Sequence, residues 1–269
     1  MDILVTNDDG IESPGLRAAV EAVLPLGRVI VVAPSRQQTS MGRSLSGDKD
    51  AYLQPSEFRA NGTRVDAYRC DCTPARAVLH AFDVLFRARK PDLVVSGINY
   101  GENLGTNSTI SGTIGAALQA ATLGARGLTV SLQTEIGNHR RHAELEWGVA
   151  RHFCREFAAL MLETAMPADV DILNVNVPAS ATVETPWRVT RLSRQPYFGN
   201  RLDNPAPDSR LGDAVCHYGY DAAKLEPDSD ILAVRGGLVS VTPVSVDLTS
   251  RVDLKSFLKA GPQKPASAE

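Results

Sequence analysis

The chain has 269 residues, a formal net charge of −3 and 43% hydrophobic residues. These values are typical of a globular protein and exclude disordered, collagen-like and low-complexity classes. The slightly acidic balance gives no general attraction for nucleic acid, so we expect no duplex nucleic acid partner. No apolar stretch approaches the about 20 residues of a membrane helix, and the N-terminus has no signal-peptide core. We therefore expect a cytoplasmic protein without a membrane anchor.

The four cysteines do not form the spacing pattern of a disulfide framework. Cys70 and Cys72 are two residues apart and would share a face on a strand, whereas Cys154 and Cys216 are isolated. We expect all four to be buried small side chains in a reducing cytoplasm.

The first half of the chain alternates strand-like and helix-like segments. Apolar and β-branched runs predict strands at 2–6, 28–33, 92–96, 127–132 and 172–177, with one or two short strands within 52–68. Helical spacing after Ser13-Pro14, Thr73-Pro74 and Ser111 predicts three helices, and a fourth is expected over 144–163. Alternating strands and helices indicate an α/β fold in which a mainly parallel sheet has helices on both faces.

The pattern changes after Pro178. Short strand-like runs occur at 189–192, 214–220 and 238–241, and a short helix is expected over 250–259. We predict a single domain over 1–269, with a core of about 1–195 and 228–250 and a frayed tail at 261–269. The stretch from about 197 to 228 carries no catalytic motif and is expected to be a β-hairpin or arm that leaves the core.

Polar loops follow three of the predicted strands. They comprise Asn7–Gly10, the segment 35–44, and a Gly- and Asn-rich segment over 97–110 that we expect to be irregular. Because the carboxyl ends of parallel strands meet at one edge of a sheet, where ligands bind, these loops should converge.

The adjacent carboxylates Asp8 and Asp9 are the strongest chemical signal in these loops. Adjacent carboxylates repel unless a cation or several donors neutralise them. Oxygen ligands of this kind suit hard cations such as Mg²⁺, Mn²⁺ or Ca²⁺. The structural alternative is that one aspartate caps the following turn and the other faces water.

The third loop suits an anion, although its glycines match neither a dinucleotide fingerprint nor a Walker A loop. Ser111-Gly112-Thr113 begins a helix and could offer backbone N–H groups to a phosphate, or Ser111 could be a plain N-cap. No G-x-S-x-G motif is present, which gives a Ser-His-Asp triad no support. The five histidines fall outside the three loops and are expected to be structural or superficial: His80, His139, His142, His152 and His217.

Three long segments together resemble the SurE family of survival-protein nucleotidases. They are ILVTNDDGIESPGL at 3–16, VVAPSRQQTSMGRS at 31–44 and PDLVVSGINYGENLGTNSTISGTIGAA at 91–117, with weaker matches at 173–178 and 228–249. The resemblance implies a Rossmann-like three-layer α/β/α core and a metal-dependent phosphatase acting on nucleoside 5′-, and possibly 3′-, monophosphates. It also implies one divalent metal ion per subunit and a homodimer or tetramer to which the C-terminal part contributes.

The resemblance assigns roles to individual residues. The metal ligands would be Asp8, Asp9, Asn99 and a hydroxyl of the second loop, Thr39 or alternatively Ser40. Asp8, Asp9 and Asn99 would also be catalytic. Phosphate or substrate contacts would come from seven positions: Asn7, Gly10, Gly42, Asn103, Ser111, Gly112 and Thr113.

The chain departs from the family pattern at several positions. Cys72-Thr73-Pro74-Ala75-Arg76 stands in place of a Gly-Thr-Pro-x-Asp segment, Gln119 replaces a common Glu, and Ile110 replaces an aromatic residue or His. Two alternative functions stay open, and the departures at Arg76 and Gln119 support the second of them. One is a haloacid-dehalogenase-like phosphatase, although that group needs Asp-x-Asp, and the other is a non-catalytic nucleotide or anion sensor.

Overall fold

A nine-stranded sheet forms the centre of the computed structural model, which describes residues 1–138 and 144–259. Apolar runs with β-branched side chains form its inner strands because both faces of these strands are buried. In chain order, the strands of this sheet are β1 (Asp2–Thr6), β2 (Arg28–Pro34), β3 (Gln54–Pro55), β6 (Asp66–Cys70), β7 (Leu93–Tyr100), β8 (Arg126–Leu132), β9 (Ile172–Val177), β10 (Trp187–Val189) and β13 (Val239–Val244). The remaining strands form two small sheets, β4 (Arg59–Ala60) with β5 (Thr63–Arg64), and β11 (Phe198–Arg201) with β12 (Val215–Tyr218).

The sheet order is β10-β13-β9-β8-β7-β1-β2-β6-β3. Strands β9, β8, β7, β1, β2 and β6 are parallel to their neighbours in this run. Antiparallel pairing occurs only toward the edges, between β9 and β13 and between β6 and β3. The predicted mainly parallel sheet is therefore confirmed.

Helices cover both faces of the sheet. They are α1 (Pro14–Val23), α2 (Pro74–Val84), α3 (Gly112–Thr122), α4 (Gly148–Glu163), α5 (Asp230–Arg235) and α6 (Leu254–Lys259). Successive side chains of a strand point to opposite faces: Ile3 and Val5 pack in the cluster that includes α1 and α4, whereas Leu4 packs in the cluster that includes α2 and α3. This alternation builds the expected three-layer α/β/α arrangement.

Several predicted boundaries differ from the structure. Strand β7 continues through Gly97–Tyr100, which we expected to be irregular, because β8 pairs with it past a register shift between Gly97 and Asn99. Helix α4 begins at Gly148 rather than at residue 144. Ser13 and Thr73 are the N-cap residues of α1 and α2, as predicted. The Ser13 side chain accepts from the helix backbone, whereas the Thr73 hydroxyl donates to the carbonyl oxygens of Ser44 and Ser46.

The predicted excursion from the core is a β-hairpin. Strands β11 and β12 pair antiparallel outside the main sheet, and Tyr197 anchors the hairpin in a small core with Leu104, Ile231 and Val234. The tail at 261–269 and His139 and His142 lie outside the described residues. Within the described part of the chain, no helix is both long and apolar enough to cross a membrane.

The cysteine prediction is correct for three of the four thiols. Cys70, Cys72 and Cys154 are buried, whereas Cys216 on β12 is exposed. Cys216 was expected to be buried, but it lies on β12 of the hairpin, where all four residues of the strand are exposed.

Candidate active site

A cleft of about 460 Å³ opens at the carboxyl edge of the sheet. Loops after β1, β2 and β7 contribute to it, as the parallel order predicts. The hairpin supplies the opposite wall. The lining side chains include Asp8, Asp9, Thr39, Ser40, Asn99, Glu102, Asn103, Asn107, Ile110, Ser111, Ile136, Phe198, Asn200 and Cys216.

Asp8 lies against the N-terminus of α3. Its Oδ1 accepts a 2.7 Å hydrogen bond from the hydroxyl of Thr113, and backbone N–H groups of Gly112 and Thr113 also face the carboxylate. A Cβ atom at position 112 would lie 2.7 Å from Asp8 Oδ2, so only glycine allows the helix to approach this closely. The helix terminus thus favours a negative charge at Asp8.

Asp9 lies between the second and third loops. Its Oδ1 accepts from Gln37 Nε2 at 3.0 Å and its Oδ2 accepts from the backbone N–H of Tyr100 at 3.2 Å. One contact comes from the loop after β2 and the other from the last residue of β7, and both are distant from Asp9 in sequence. They fix the Asp9 carboxylate just beyond the carboxyl end of β1.

The two carboxylates are only 6% and 4% exposed. Burial raises the pKa of Asp8, although the hydrogen bonds at the helix terminus oppose this effect. Burial, and then the nearby charge of Asp8, raise the pKa of Asp9. In the absence of a cation, the protein therefore favours protonation of at least one of these carboxyl groups.

Asn99 presents a neutral oxygen to the same cleft. Its side-chain nitrogen donates to the carbonyl oxygens of Tyr100 at 3.2 Å and Gly101 at 2.6 Å. The amide oxygen is consequently the atom of Asn99 that is available to a ligand. The extra residues of β7 place it here, beside Asp9.

The second loop brings both hydroxyl candidates to the cleft. Thr39 and Ser40 line it, and both are exposed. Ser40 has a φ of +61°, a left-handed conformation that few residues other than glycine adopt. The choice between them as a ligand stays a prediction.

Two of the seven predicted phosphate or substrate contacts line the cleft. Ser111 Oγ accepts from Ile114 N at 3.2 Å, so the hydroxyl caps α3 and keeps its proton for a second partner. Asn103 is held by Ser131 through its side chain at 2.9 Å and by Asn176 through its backbone N–H at 2.8 Å. Both side chains are therefore fixed before a ligand arrives.

The other five candidates have contacts inside the protein, behind the cleft. The Asn7 side chain makes two 3.1 Å hydrogen bonds with the backbone of Gly10, which has a φ of +94°. Gly42 N donates to Ile110 O, and Gly112 and Thr113 face Asp8 as described. Direct contact between these five residues and a substrate stays a prediction.

The site residues predicted from the sequence do not include the side chains that line the cleft opposite the carboxylates. Asn107 makes two hydrogen bonds with the backbone of Phe198, from its Nδ2 at 3.2 Å and to its Oδ1 at 2.9 Å. This pair joins the third loop to the hairpin and brings Phe198, Asn200 and Cys216 to the cleft. The chain separation of 91 residues between the two partners leaves no local signal for this contact.

Glu102 is a second omission. It is 4% exposed, its Oε2 accepts from Thr134 N at 3.3 Å, and burial raises its pKa. The three histidines in the described residues, His80, His152 and His217, do not line the cleft, as predicted.

Known proteins share this sequence and architecture. The model of the family described as survival protein SurE matches residues 3–198. A protein of Thermococcus gammatolerans named 5′-nucleotidase SurE is 40% identical over 263 residues, which cover 96% of this chain and 94% of that protein. A protein of the same name from Archaeoglobus fulgidus is 41% identical over 259 residues, covering 94% of each chain.

The architecture also matches an experimental structure. The crystal structure of a SurE protein from Aquifex aeolicus superposes with a TM-score of 0.76 at 30% identity, covering 97% of this chain and 99% of that one. The loops that the sequence resemblance identified are the loops that meet at the cleft. By family model, by relatives of nearly equal length and by structure, this chain belongs to the SurE family.

Proposed function

We propose that this protein is a divalent-metal-dependent 5′-nucleotidase that hydrolyses nucleoside monophosphates to nucleoside and phosphate. The observation that carries the proposal is the buried Asp8–Asp9 pair at one end of the cleft. The other end is lined by the ring of Phe198 and the amides of Asn107 and Asn200. The relatives named 5′-nucleotidase SurE support the reaction class. Nucleoside 3′-monophosphates are a second substrate class to be tested.

The carboxylate end of the cleft fits a hard cation. Two buried carboxylates lie beside the Asn99 oxygen and the hydroxyls of Thr39 and Ser40, and oxygen ligands of this kind suit Mg²⁺ or Mn²⁺. In residues 1–138 and 144–259, no three His, Cys, Asp or Glu side chains come together as a metal site. Neutral oxygens would therefore complete the ligand set. Burial, and then the charge of Asp8, raise the pKa of Asp9, and a bound cation would oppose both effects.

Asp8, Asp9, Asn99 and one second-loop hydroxyl would hold one ion per subunit. When bound, such an ion supplies positive charge to phosphoryl oxygens and makes water more acidic. The protein supplies rigid positioning: Thr113 and the α3 terminus orient Asp8, while Gln37 and Tyr100 orient Asp9. These hydrogen bonds hold the two carboxylates in fixed positions, as stabilisation of the charge that develops during phosphoryl transfer requires.

Ser111 and Asn103 are the residues best placed to bind the phosphoryl group. The Ser111 hydroxyl keeps a proton to donate, and the Asn103 amide has a second N–H beyond the one that contacts Ser131. Both side chains are oriented by other parts of the core. Their hydrogen bonds would stabilise the equatorial oxygens of the transition state.

The hairpin end of the cleft would take the nucleoside. Phe198 offers a ring on which a base can stack, and Asn107 and Asn200 offer amide groups at the same wall. An apolar pocket with a few polar groups is the usual form of a site for a small organic ligand.

Membership of the SurE family sets aside the haloacid-dehalogenase alternative, which needs Asp-x-Asp after the first strand, where this chain has the adjacent Asp8 and Asp9. The non-catalytic sensor rests on the Arg76 and Gln119 departures. Gln119 Oε1 accepts from Arg43 at 2.9 Å, and neither Arg76 nor Gln119 lines the cleft. The departures therefore leave the proposed catalytic residues untouched, and this favours an enzyme.

Assembly and location are further parts of the proposal. Leu211 of the hairpin is 99% exposed and Leu248 near the C-terminus is 91% exposed, so a homodimer or tetramer could bury them. Leu211→Asp should then lower the sedimenting mass, and an unchanged mass would contradict a role for the hairpin. Four free thiols are compatible with a reducing cytoplasm.

Phosphate release from a panel of nucleoside 5′- and 3′-monophosphates tests the proposed reaction. The protein is assayed with EDTA and again after Mg²⁺, Mn²⁺ or Co²⁺ is added. We expect release only with a metal ion and only from nucleotides that fit the cleft. Tight nucleotide binding without phosphate release under any of these metals would identify a sensor instead.

A further inference from the structure

Two thiols lie beside the cleft at the end of β6. Cys70 and Cys72 are 3% and 6% exposed, and both line a separate cavity of about 510 Å³. The cavity lets a small solute reach side chains that are otherwise buried. Neither thiol has a part in the proposed hydrolysis.

The backbone holds the two thiols together. The N–H of Cys72 donates to the carbonyl oxygen of Cys70 at 2.9 Å, which closes a three-residue turn around Asp71. Both side chains line the same cavity, and each affects the acidity of the other. The two sulfurs therefore start as neighbours.

The two thiols differ in acidity. The hydrogen bond from Cys72 lowers the pKa of Cys70, and the charge of Arg76 acts in the same direction, while burial and Asp71 oppose them. The same hydrogen bond, together with burial, raises the pKa of Cys72. The environment thus favours a thiolate at Cys70 and a thiol at Cys72. A peroxide reacts with the thiolate of one cysteine, and the second cysteine then forms the disulfide with it. Cys154, by contrast, is fully buried with its pKa raised to about 12.

The turn also holds the segment 35–48, which carries both hydroxyl candidates of the metal site. Ser35 N donates to Cys70 O at 3.0 Å and Asp48 N donates to Asp71 O at 3.0 Å. A Cβ atom at Gly47 would lie 2.6 Å from the Cys72 Cβ, so the two backbones are in close contact. A displacement of Cys72 must therefore move the end of this segment.

We propose that Cys70 and Cys72 form a reversible disulfide whose formation loosens the segment 35–48. Hydrogen peroxide oxidises the Cys70 thiolate to a sulfenic acid and releases hydroxide, which takes up a proton to become water. The Cys72 sulfur then attacks the Cys70 sulfur, and the hydroxyl group leaves with the Cys72 proton as a second water. In total, two thiols lose two electrons to one peroxide, and an external dithiol reverses the reaction.

The loosening follows from the geometry of the covalent bond. A disulfide brings its sulfurs to about 2.05 Å, far closer than two sulfurs that are not bonded to each other. Because only Asp71 separates the cysteines, the turn must adjust its backbone, and its carbonyl oxygens hold Ser35 and Asp48. A strained disulfide of this kind is easily reduced, as a switch requires.

Mass spectrometry tests the bond directly, without reference to activity. Trypsin cleavage after Arg69 and Arg76 places both cysteines in one peptide, residues 70–76. In full-length Cys216→Ser protein, which removes the exposed thiol, peroxide followed by denaturing alkylation should leave this peptide unalkylated and two hydrogens lighter. Dithiothreitol should restore double alkylation. Alkylation of both cysteines after peroxide treatment would overturn the proposal, as would sulfinic acid at both.

Substitutions then separate the roles of the two thiols. In Cys72→Ser, Cys70 should accumulate a sulfenic acid that dimedone traps, whereas the matched control Cys154→Ser should form the disulfide like the parent. Hydrogen exchange measures the segment: amides within 35–48 should exchange about tenfold faster in the oxidised parent than in oxidised Cys72→Ser. A disulfide without faster exchange would refute the loosening.

A final measurement rests on the proposed nucleotidase activity. Oxidised protein should release phosphate more slowly than reduced protein, and the difference should be absent in Cys72→Ser. If no form releases phosphate, the proposed function fails while the disulfide and exchange results still stand or fall by themselves. If the reduced protein is active and oxidation forms the disulfide without changing the rate of phosphate release, the disulfide does not affect the active site through the segment 35–48, and that part of the proposal is wrong.

Discussion

The two ends of the cleft are built in different ways. Asp8, Asp9 and Asn99 lie at the ends of adjacent central strands and are at most 9% exposed. Phe198 and Asn200 lie on a hairpin outside the main sheet, where Asn200 is exposed. The carboxylate end is therefore held by the main sheet, whereas the opposite end is attached through the small core around Tyr197 and through the hydrogen bonds between Asn107 and Phe198.

This difference separates two tasks that the proposed reaction requires. Charge stabilisation needs groups fixed to within a fraction of an ångström, which packed strands and helix termini provide. Substrate choice needs a surface that can vary without disturbing the core, which an external hairpin provides. Substitutions at the two ends should therefore affect turnover and substrate affinity separately.

The largest effect should come from Asp8→Asn. The amide removes one of the two charges that would bind the cation, so we expect kcat/KM to fall by about 10²-fold or more. Phosphate release with saturating Mn²⁺ measures the loss. Asp83→Asn is the matched control, because Asp83 is an exposed carboxylate on α2 outside the cleft. Turnover of Asp8→Asn at the wild-type rate would contradict the metal site.

The carboxylate end was also the part of the site most open to sequence reasoning. The apolar run before Asn7 predicts a buried strand, and parallel topology then forces the ends of β1, β2 and β7 to one edge. The position of Asn99 could be predicted, but its place within β7 could not. That extension depends on pairing with β8 beyond a bulge, which is a tertiary effect.

The second-loop hydroxyl should give a smaller effect and settle one ambiguity. Removal of the hydroxyl should weaken metal binding only at the residue that is the ligand. Either Thr39→Ala or Ser40→Ala should therefore raise the metal concentration needed for half-maximal activity by about tenfold. This factor corresponds to the loss of one hydrogen bond to a charged group. Each variant is the matched control of the other. If neither shifts the metal requirement, the cation has no hydroxyl ligand from this loop.

At the hairpin end, Phe198→Ala should raise KM by about tenfold while changing kcat little. Stacking of a base on an aromatic ring contributes about 1–3 kcal/mol, and this contact is remote from the phosphoryl group. Tyr52→Ala is a suitable control, since Tyr52 is 62% exposed and outside the cleft. A loss confined to kcat would mean that the hairpin positions the catalytic groups instead of the nucleoside.

The contacts between the hairpin and the cleft could not be predicted from the sequence. The excursion of the hairpin from the core could be predicted from the change in pattern after Pro178, but its return to the cleft could not. The Asn107–Phe198 contact joins an asparagine and a backbone that carry no distinctive signature. The same holds for Gln37, whose bond to Asp9 forms only when two loops meet.

The smallest expected effect is on stability and concerns the carboxylate pair without metal. Burial and the charge of Asp8 raise the native pKa of Asp9, so its stabilising contribution is complete below the ordinary carboxyl pKa and is lost as pH rises through the raised value. Asp9→Asn avoids that loss. In EDTA at alkaline pH, the Tm of Asp9→Asn should therefore exceed that of the wild type, by about 2–4 °C for each kcal/mol by which the substitution raises the free energy of unfolding. At pH 4 the two proteins should have nearly the same Tm.

Added Mn²⁺ should reverse this order, because deprotonated carboxylates bind the cation and the wild type alone keeps both. Thermal unfolding across pH, with and without the metal, measures both effects, and Asp83→Asn again serves as the control. A Tm difference that does not depend on pH would mean that Asp9 is ionised at all pH values tested. The burial of the pair would then be relieved by hydrogen bonds alone, and the argument that this end of the cleft requires a cation would lose its electrostatic basis.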